Sequence, residues 1–267
     1  MQVDLSEREI ELIIHMLTEE VTKVNDGKAK LNFSVDEVIM LEKLDQALKL
    51  KDLDGITETK NTQKTKYLKK KKKMRKAHIH RKTFETDVDI ELNLDSNKKS
   101  SINTTIPFMD HMLTLFSAHA GVYLKINAKG DTEIDDHHLV EDMGITLGQV
   151  FKQALGDKKG IVRYGHFLLP MDEALAYIAL DISGRPFLSY EAKIEFQKTG
   201  FNYDLIQEFF IAFVNNAAIT LHIKMMKGRN NHHIAESIFK GFGRALAIAI
   251  SINKKIKNKI PSTKGSI

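Results

Sequence analysis

Two histidine pairs carry the strongest chemical signal in the 267-residue sequence. Asp136-His137-His138-Leu139-Val140-Glu141 recurs 95 residues later as Asn231-His232-His233-Ile234-Ala235-Glu236. A glycine stands eleven residues after the first histidine of each copy, at Gly148 and Gly243. On a helix, residues four apart share a face, so His137 with Glu141, and His232 with Glu236, can each clamp one metal ion. The neighbouring His138 and His233 project roughly 100° away and are free to reach a second ion. Two such copies build mixed imidazole and carboxylate sites suited to manganese, zinc or iron. The plainer alternative, four surface or capping histidines, has to produce the matched glutamate and glycine twice. The recurrence implies two copies of one half-domain.

The composition narrows the chemistry further. With no cysteine, disulfides, zinc-thiolate sites, iron–sulfur clusters and thiol catalysis are excluded, and any metal must use His and carboxylate. A hydrophobic content of 42% in 267 residues is enough for one domain of average size plus something extra. The opening MQVDLSEREIE lacks the basic-then-apolar order of a signal peptide, and no apolar run approaches the ~18 residues of a spanning helix. A cytoplasmic location without membrane contact is the expectation.

The net charge of +5 invites a nucleic-acid reading, but the charge is local. Residues 60–82 hold 12 Lys and Arg and no acidic residue; without them the chain has 28 basic against 35 acidic residues. A run with Tyr67 as its only aromatic lacks the interleaved stacking residues of a nucleic-acid binder, so a solvated tether is favoured over a polyanion contact.

The elements that must position the histidines follow from pattern. Residues 6–53 read as a helical hairpin, with capping boxes at Ser6-Glu7-Arg8-Glu9 and Ser34-Val35-Asp36-Glu37. This extension, residues 1–59, carries no legible role, and residues 60–79 read as a Lys-rich linker. Beyond it, residues 83–94 alternate with Val88, Ile90, Leu92 and Leu94 on one face, as a half-buried strand does. Further strands are predicted at 122–128, 176–182, 188–194 and 218–225, and helices at 109–119, 137–155, 203–216 and 232–252. The fold class is α+β, with strands and helices mixed in an order that repeats over two half-domains, about 80–170 and 171–260.

The motifs in order resemble one family. Ile106-Pro107-Phe108-Met109-Asp110-His111-Met112-Leu113, Asp135-Asp136-His137-His138 with Glu141-Asp142, and the GxNxHHxxExxFK pattern from Gly228 to Lys240 are similar to those of imidazoleglycerol-phosphate dehydratase. Arg163-Tyr164-Gly165, Met171-Asp172-Glu173-Ala174, Ser183-Gly184-Arg185-Pro186 and Pro261-Ser262-Thr263-Lys264-Gly265 stand between and after them in the family's order. The resemblance spans residues 80–267 and implies an α/β sandwich of two repeated βαβ-type half-domains with helices packed on mixed sheets.

What the resemblance implies is specific. It implies a hydro-lyase of histidine biosynthesis converting imidazoleglycerol phosphate to imidazoleacetol phosphate, with two manganese ions per site. It also implies a large homo-oligomer of 24 subunits whose active sites are shared between copies. It adds His111 and His222 to the ligands, giving one ion to His137, Glu141, His222 and His233 and the other to His111, His138, His232 and Glu236. In the implied reaction, ions on the two ring nitrogens stabilise an imidazolate, which expels the hydroxyl through a diazafulvene-like intermediate and eases loss of a carbon-bound proton. The base is expected among Glu85, Glu141, Glu173 and Glu236, with Glu236 favoured and Glu85 on the substrate hydroxyls. Arg163, Arg185, Lys240, Ser262 and Lys264 are carried over as phosphate ligands. A catalytically silent metal-binding scaffold and a di-metal hydrolase are the alternatives; a scaffold has no need of Arg163, Arg185 or Lys264.

Overall fold

The computed structural model describes residues 74–194, 200–256 and 258–267. The chain divides into residues 1–69 and residues 70–267, so the expected helical hairpin and most of the Lys run lie outside the described residues.

Residues 70–267 repeat one order of elements twice. The first half runs β1 (Lys76–Lys82), β2 (Thr86–Asn93), β3 (Ser101–Asn103), α1 (Pro107–Ala120), β4 (Tyr123–Gly130) and α2 (His137–Leu155). The second runs β5 (Tyr164–Met171), β6 (Ala174–Asp181), β7 (Phe187–Glu191), α3 (Leu205–Ala217), β8 (Thr220–Lys227) and α4 (Asn231–Ile250). Each half makes a four-stranded sheet, in the orders β1-β2-β4-β3 and β5-β6-β8-β7. The pairs β3–β4 and β7–β8 are parallel across a helical crossover and all others are antiparallel, so each half contains one βαβ unit.

The α+β sandwich is as expected, with two corrections. Strand β1 begins at Lys76, so the linker drawn to residue 79 overlaps it by four residues. The segment hides its pattern because Ala77 and Ile79 are the only apolar residues on its inner face, which they share with half-buried Arg81, and its outer face is exposed Lys and His, the charged dress of an edge strand. The division at residues 170 and 171 falls inside β5, whereas the halves meet between Leu155 and Tyr164. Strand β5 escapes alternation because it holds a Gly and a Pro, tolerated at the sheet edge where it lies.

Where the alternation is clear, the structure follows it: Val88, Ile90, Leu92 and Leu94 are all buried. Each sheet lays its inner face on its own helices, α2 on β1 and β2, α4 on β5 and β6. The helices then pack crosswise, α1 on α4 and α2 on α3, which fuses the two halves around one core. The repeated glycine serves this crossing. A Cβ on Gly148 would meet the Phe213 carbonyl oxygen of α3 at 2.6 Å, and one on Gly243 the Phe116 carbonyl oxygen of α1 at 2.7 Å.

Candidate metal and substrate site

Helix α4 opens on Asn230, whose side-chain oxygen accepts from the backbone N–H of His232 and His233 at 2.9 and 3.4 Å. This cap sets both histidines in the first turn, and four residues on Glu236 returns to the face of His232, its oxygen 3.0 Å from His232 Nε2. Helix α1 brings the third member across the helix crossing: His111 Nε2 lies 2.7 Å from the same Glu236 oxygen. The Asp110 carboxylate at the head of α1 accepts from the Thr104 backbone N–H and hydroxyl, both at 2.7 Å, which fixes the turn that presents His111.

His111, His232 and Glu236 place one ligand atom each within 4.8 Å of one another, and among the described residues no other His, Asp or Glu group of three or more does so. Cis ligands at ~2.1 Å from an octahedral ion stand ~3 Å apart, which the 2.7 and 3.0 Å separations match. Imidazole and carboxylate donors are also the right chemistry for manganese, so the residues fit the implied metal.

The remaining predicted ligands stay apart within one chain. His137 and Glu141 share a face of α2 at 4.0 Å, both exposed. His222 sits on the outer face of β8, exposed. His138 and His233 each leave their first-histidine neighbour and turn to a carboxylate through Nδ1: His138 to Asp131 at 3.0 Å, His233 to Glu173 at 2.7 Å. An imidazole held at Nδ1 presents Nε2 as its lone-pair nitrogen, the arrangement that orients metal-ligating histidines. The His233 Nε2 lies 3.7 Å from the exposed Asp172 carboxylate.

The carboxylates divide sharply. Glu173, just before β6, accepts from His233 and from the backbone N–H of Asn230 and Arg229, which together hold it down to about 2. Glu236 is buried, which pushes its pKa up, yet contacts from Lys240, His111 and His232 outweigh burial and bring it to about 2. Lys240 Nζ lies 2.6 Å from its second oxygen, one helical turn on. Both groups are therefore held as anions, poor proton acceptors at neutral pH. Glu85 stands directly before β2, the same turn position that Glu173 takes before β6, and its charge helps raise the pKa of His138 behind the larger effect of Asp131.

Of the predicted phosphate ligands, four share a neighbourhood and one does not. Arg163, in a positive-φ conformation (81°), donates to both oxygens of Asp181 at 2.7 and 3.1 Å and to the Pro261 carbonyl at 2.9 Å. It thereby ties the Pro261–Ser262–Thr263–Lys264 segment to the start of β5. The last residue, Ile267, folds onto Gly184, beside Arg185: a Cβ on Gly184 would meet the Ile267 carbonyl carbon at 3.0 Å. Lys240 instead joins the His111–His232–Glu236 cluster through Glu236.

The sequence signature described as imidazoleglycerol-phosphate dehydratase covers residues 104–246. The chain belongs to the imidazoleglycerol-phosphate dehydratase family. It is 68% identical over 193 residues to the imidazoleglycerol-phosphate dehydratase of Endomicrobium trichonymphae, an alignment covering 72% of this chain and 98% of that protein. It is 55% identical to that of Trichodesmium erythraeum over 194 residues, 72% of this chain and 91% of the relative. Among solved structures, the imidazoleglycerol-phosphate dehydratase of Staphylococcus aureus superposes with a TM-score of 0.61 at 45% identity, over 67% of this chain and 99% of that one. The Pyrococcus furiosus enzyme, solved in complex with (S)-C348, gives 0.62 at 36% identity over 71% and 100%. The matched span contains the positions of His111, both histidine pairs, Glu141, Glu173 and Glu236. No helix among the described residues is long and apolar enough to cross a membrane.

Two participants were not legible in the sequence. Asp131, which holds His138, follows a strand and carries no motif of its own. Asp142, which accepts from Arg81 and Thr86 and pins α2 to the first two strands, is buried and pairs across 56 and 61 residues. The Lys240–Glu236 contact had a signal, the i,i+4 spacing, that points away from the phosphate.

Proposed function

We propose that the chain dehydrates imidazoleglycerol phosphate to imidazoleacetol phosphate in histidine biosynthesis, with two manganese ions held in sites completed between copies of the chain. The observation that carries this reading is the convergence of His111, His232 and Glu236 while His137 with Glu141, and His222, stand exposed and apart. A single chain thus offers one three-ligand cluster and separate exposed ligands. The outer face around His222 suits a second copy, since Tyr164, Leu168, Tyr177 and Phe187 are all exposed on that sheet.

Manganese bound there would supply Lewis acidity to the substrate's ring nitrogens, easing departure of the hydroxyl. The chain's own groups do the rest. Asp131 and Glu173 hold the second histidine of each pair by Nδ1, and Lys240 compensates the charge of Glu236. Arg163 anchors the segment bearing Ser262 and Lys264, which together with Arg185 would grip the phosphate. Proton removal falls to Glu85 in this reading rather than to Glu236, because Glu236 has both oxygens occupied by three cationic or imidazole partners.

The test is metal-reconstituted full-length chain with imidazoleglycerol phosphate, followed by detection of the enol or ketone product. Release of inorganic phosphate in its place would favour a di-metal hydrolase, and two bound ions without any turnover a silent scaffold. Glu85→Gln should keep its metals and lose turnover by about 100-fold or more, the upper range of general base catalysis being larger still.

A further inference from the structure

We propose that Phe108, Phe201 and Tyr203 form an aromatic brace that fixes the imidazole of His232 for its metal ion, acting as positioning residues. The inference rests on the reading of His111, His232 and Glu236 as a manganese site.

The problem they answer is that His232 lies in the first turn of α4 with its side chain 46% exposed. Its polar tether is Glu236, 3.0 Å away. An exposed imidazole changes rotamer on the nanosecond scale, and each departure takes Nε2 away from the other two ligands. A ring packed against it removes that freedom.

Phe108 supplies the ring. It stands at 81° to His232 with centroids 5.8 Å apart, an edge-on contact, while His111 stacks on His232 at 5.5 Å and 29°. Phe108 lies one turn before His111 on α1, so the same helix sets both neighbours of His232. Phe108 is in turn held from the second half of the chain. Phe201 stacks on it at 4.5 Å and 24°, and Tyr203 meets it edge-on at 5.2 Å and 74°. Phe201 and Tyr203 contact each other at 5.9 Å and 85°, which closes a three-ring cluster packed on the hydrophobic core. Phe201 and Tyr203 come from the segment that leads from β7 into α3, remote in sequence from α1.

The brace belongs to one histidine only. His137, the counterpart of His232 on α2, has the ring of its neighbour His138 at 6.2 Å and Glu141 at 4.0 Å, and among the described residues no phenylalanine or tyrosine beside it. The cluster therefore distinguishes the two expected ions, and its loss should touch one of them. A packing shell around a ligand tunes its metal as outer hydrogen bonds do, typically by ~10- to 100-fold in affinity.

The experiment is a manganese titration of the metal-free full-length chain, reading free manganese by its paramagnetic resonance signal. Phe201→Ala should weaken one of two manganese ions by ~10-fold and leave the other within ~2-fold, and Phe108→Leu should do likewise. Phe201→Tyr, which keeps the stacked ring, should restore tight binding. Phe151→Leu, in a ring pair with Phe213 between α2 and α3, controls for general loosening: it should lower the melting temperature and leave both affinities unchanged. Wild-type affinity at both ions in Phe201→Ala and Phe108→Leu would overturn the brace, and so would equal weakening by Phe151→Leu. If His232→Ala itself leaves manganese binding unchanged, the metal reading falls, an outcome distinct from any result with the phenylalanines.

Discussion

His111 on α1 and Glu236 on α4 meet at 2.7 Å, one residue from each half of the repeat. The contact follows from the crosswise helix packing, which sets α1 against α4 closely enough that a Cβ on Gly243 has no room. Glu236→Gln keeps the side chain's size and removes the charge that His111, His232 and Lys240 share. It should lose about one metal ion per chain and lower turnover by more than ~100-fold, beyond what loss of an outer-shell partner does. Metal analysis beside turnover checks it; a fully loaded and active variant would remove Glu236 from the ligand set.

Acid should expose the two depressed carboxylates. Glu173 and Glu236 are held at about 2 against an ordinary 4.5. The unfolded chain therefore takes up their protons near pH 4.5, the folded chain only near pH 2. Their contribution to stability is complete above about pH 4.5 and disappears as pH falls toward 2. Urea midpoints of the metal-free protein across this window should decline, and the decline should be shallower in Glu173→Gln. An identical slope in that variant would show that the His233–Glu173 pair adds nothing to folding.

Sharing of sites between copies can be tested by complementation. His137→Ala and His222→Ala strike the same proposed ion from α2 and β8. Each alone should be inactive, while subunits of the two mixed and reassembled should recover roughly a quarter of full activity, as random pairing at a two-subunit site allows. No recovery, with mixed assemblies demonstrated, would place both ligands in one chain. Chelation should likewise weaken assembly if metal bonds cross between copies.

How much of this was legible in the sequence varies with the range of the interaction. The histidine pairs are local: the i,i+4 partners His137–Glu141 and His232–Glu236 each lie within five residues, so helices α2 and α4 and these pairs could be read directly. The alternation of β2 is equally local. Edge strands β1 and β5 were missed because edges bury little and tolerate Lys, Gly and Pro, which erases the period that marks a strand. Convergence is a different matter. His111 reaches Glu236 across 125 residues, and Phe201 reaches Phe108 through packing that no spacing announces. The surroundings of Glu236 are hidden for a related reason: the sequence shows that the carboxylate is present, while its occupancy by His111, His232 and Lys240 depends on two helices being set side by side.

The start of the folded unit is the last point, and Arg75 decides it. Sequence boundaries put the family-like domain at residue 80, yet the Arg75 guanidinium pairs with Asp95 at 2.8 and 3.2 Å, its backbone N–H donates to the same carboxylate at 3.0 Å, and Nη1 reaches the carbonyl of Ile250 at 2.6 Å. Ile250 ends α4, so a residue from the entry to the first half caps the last carbonyl of a helix in the second, where positive charge is favourable. Both partners are largely buried, with side chains 17% and 13% exposed, so screening by solvent is limited. A chain beginning at Met74 should keep the melting temperature of residues 70–267 and, in this reading, full turnover. A chain beginning at Ala77, or Arg75→Ala, should be less stable by about 2 kcal/mol, the order of a hydrogen-bonded charge pair, which for a unit of this size is a fall of roughly 4–8 °C. Thermal melts of the four proteins measure it. Equal melting temperatures for chains starting at Met74 and Ala77 would show that Arg75 is dispensable and that the domain begins with β1 itself.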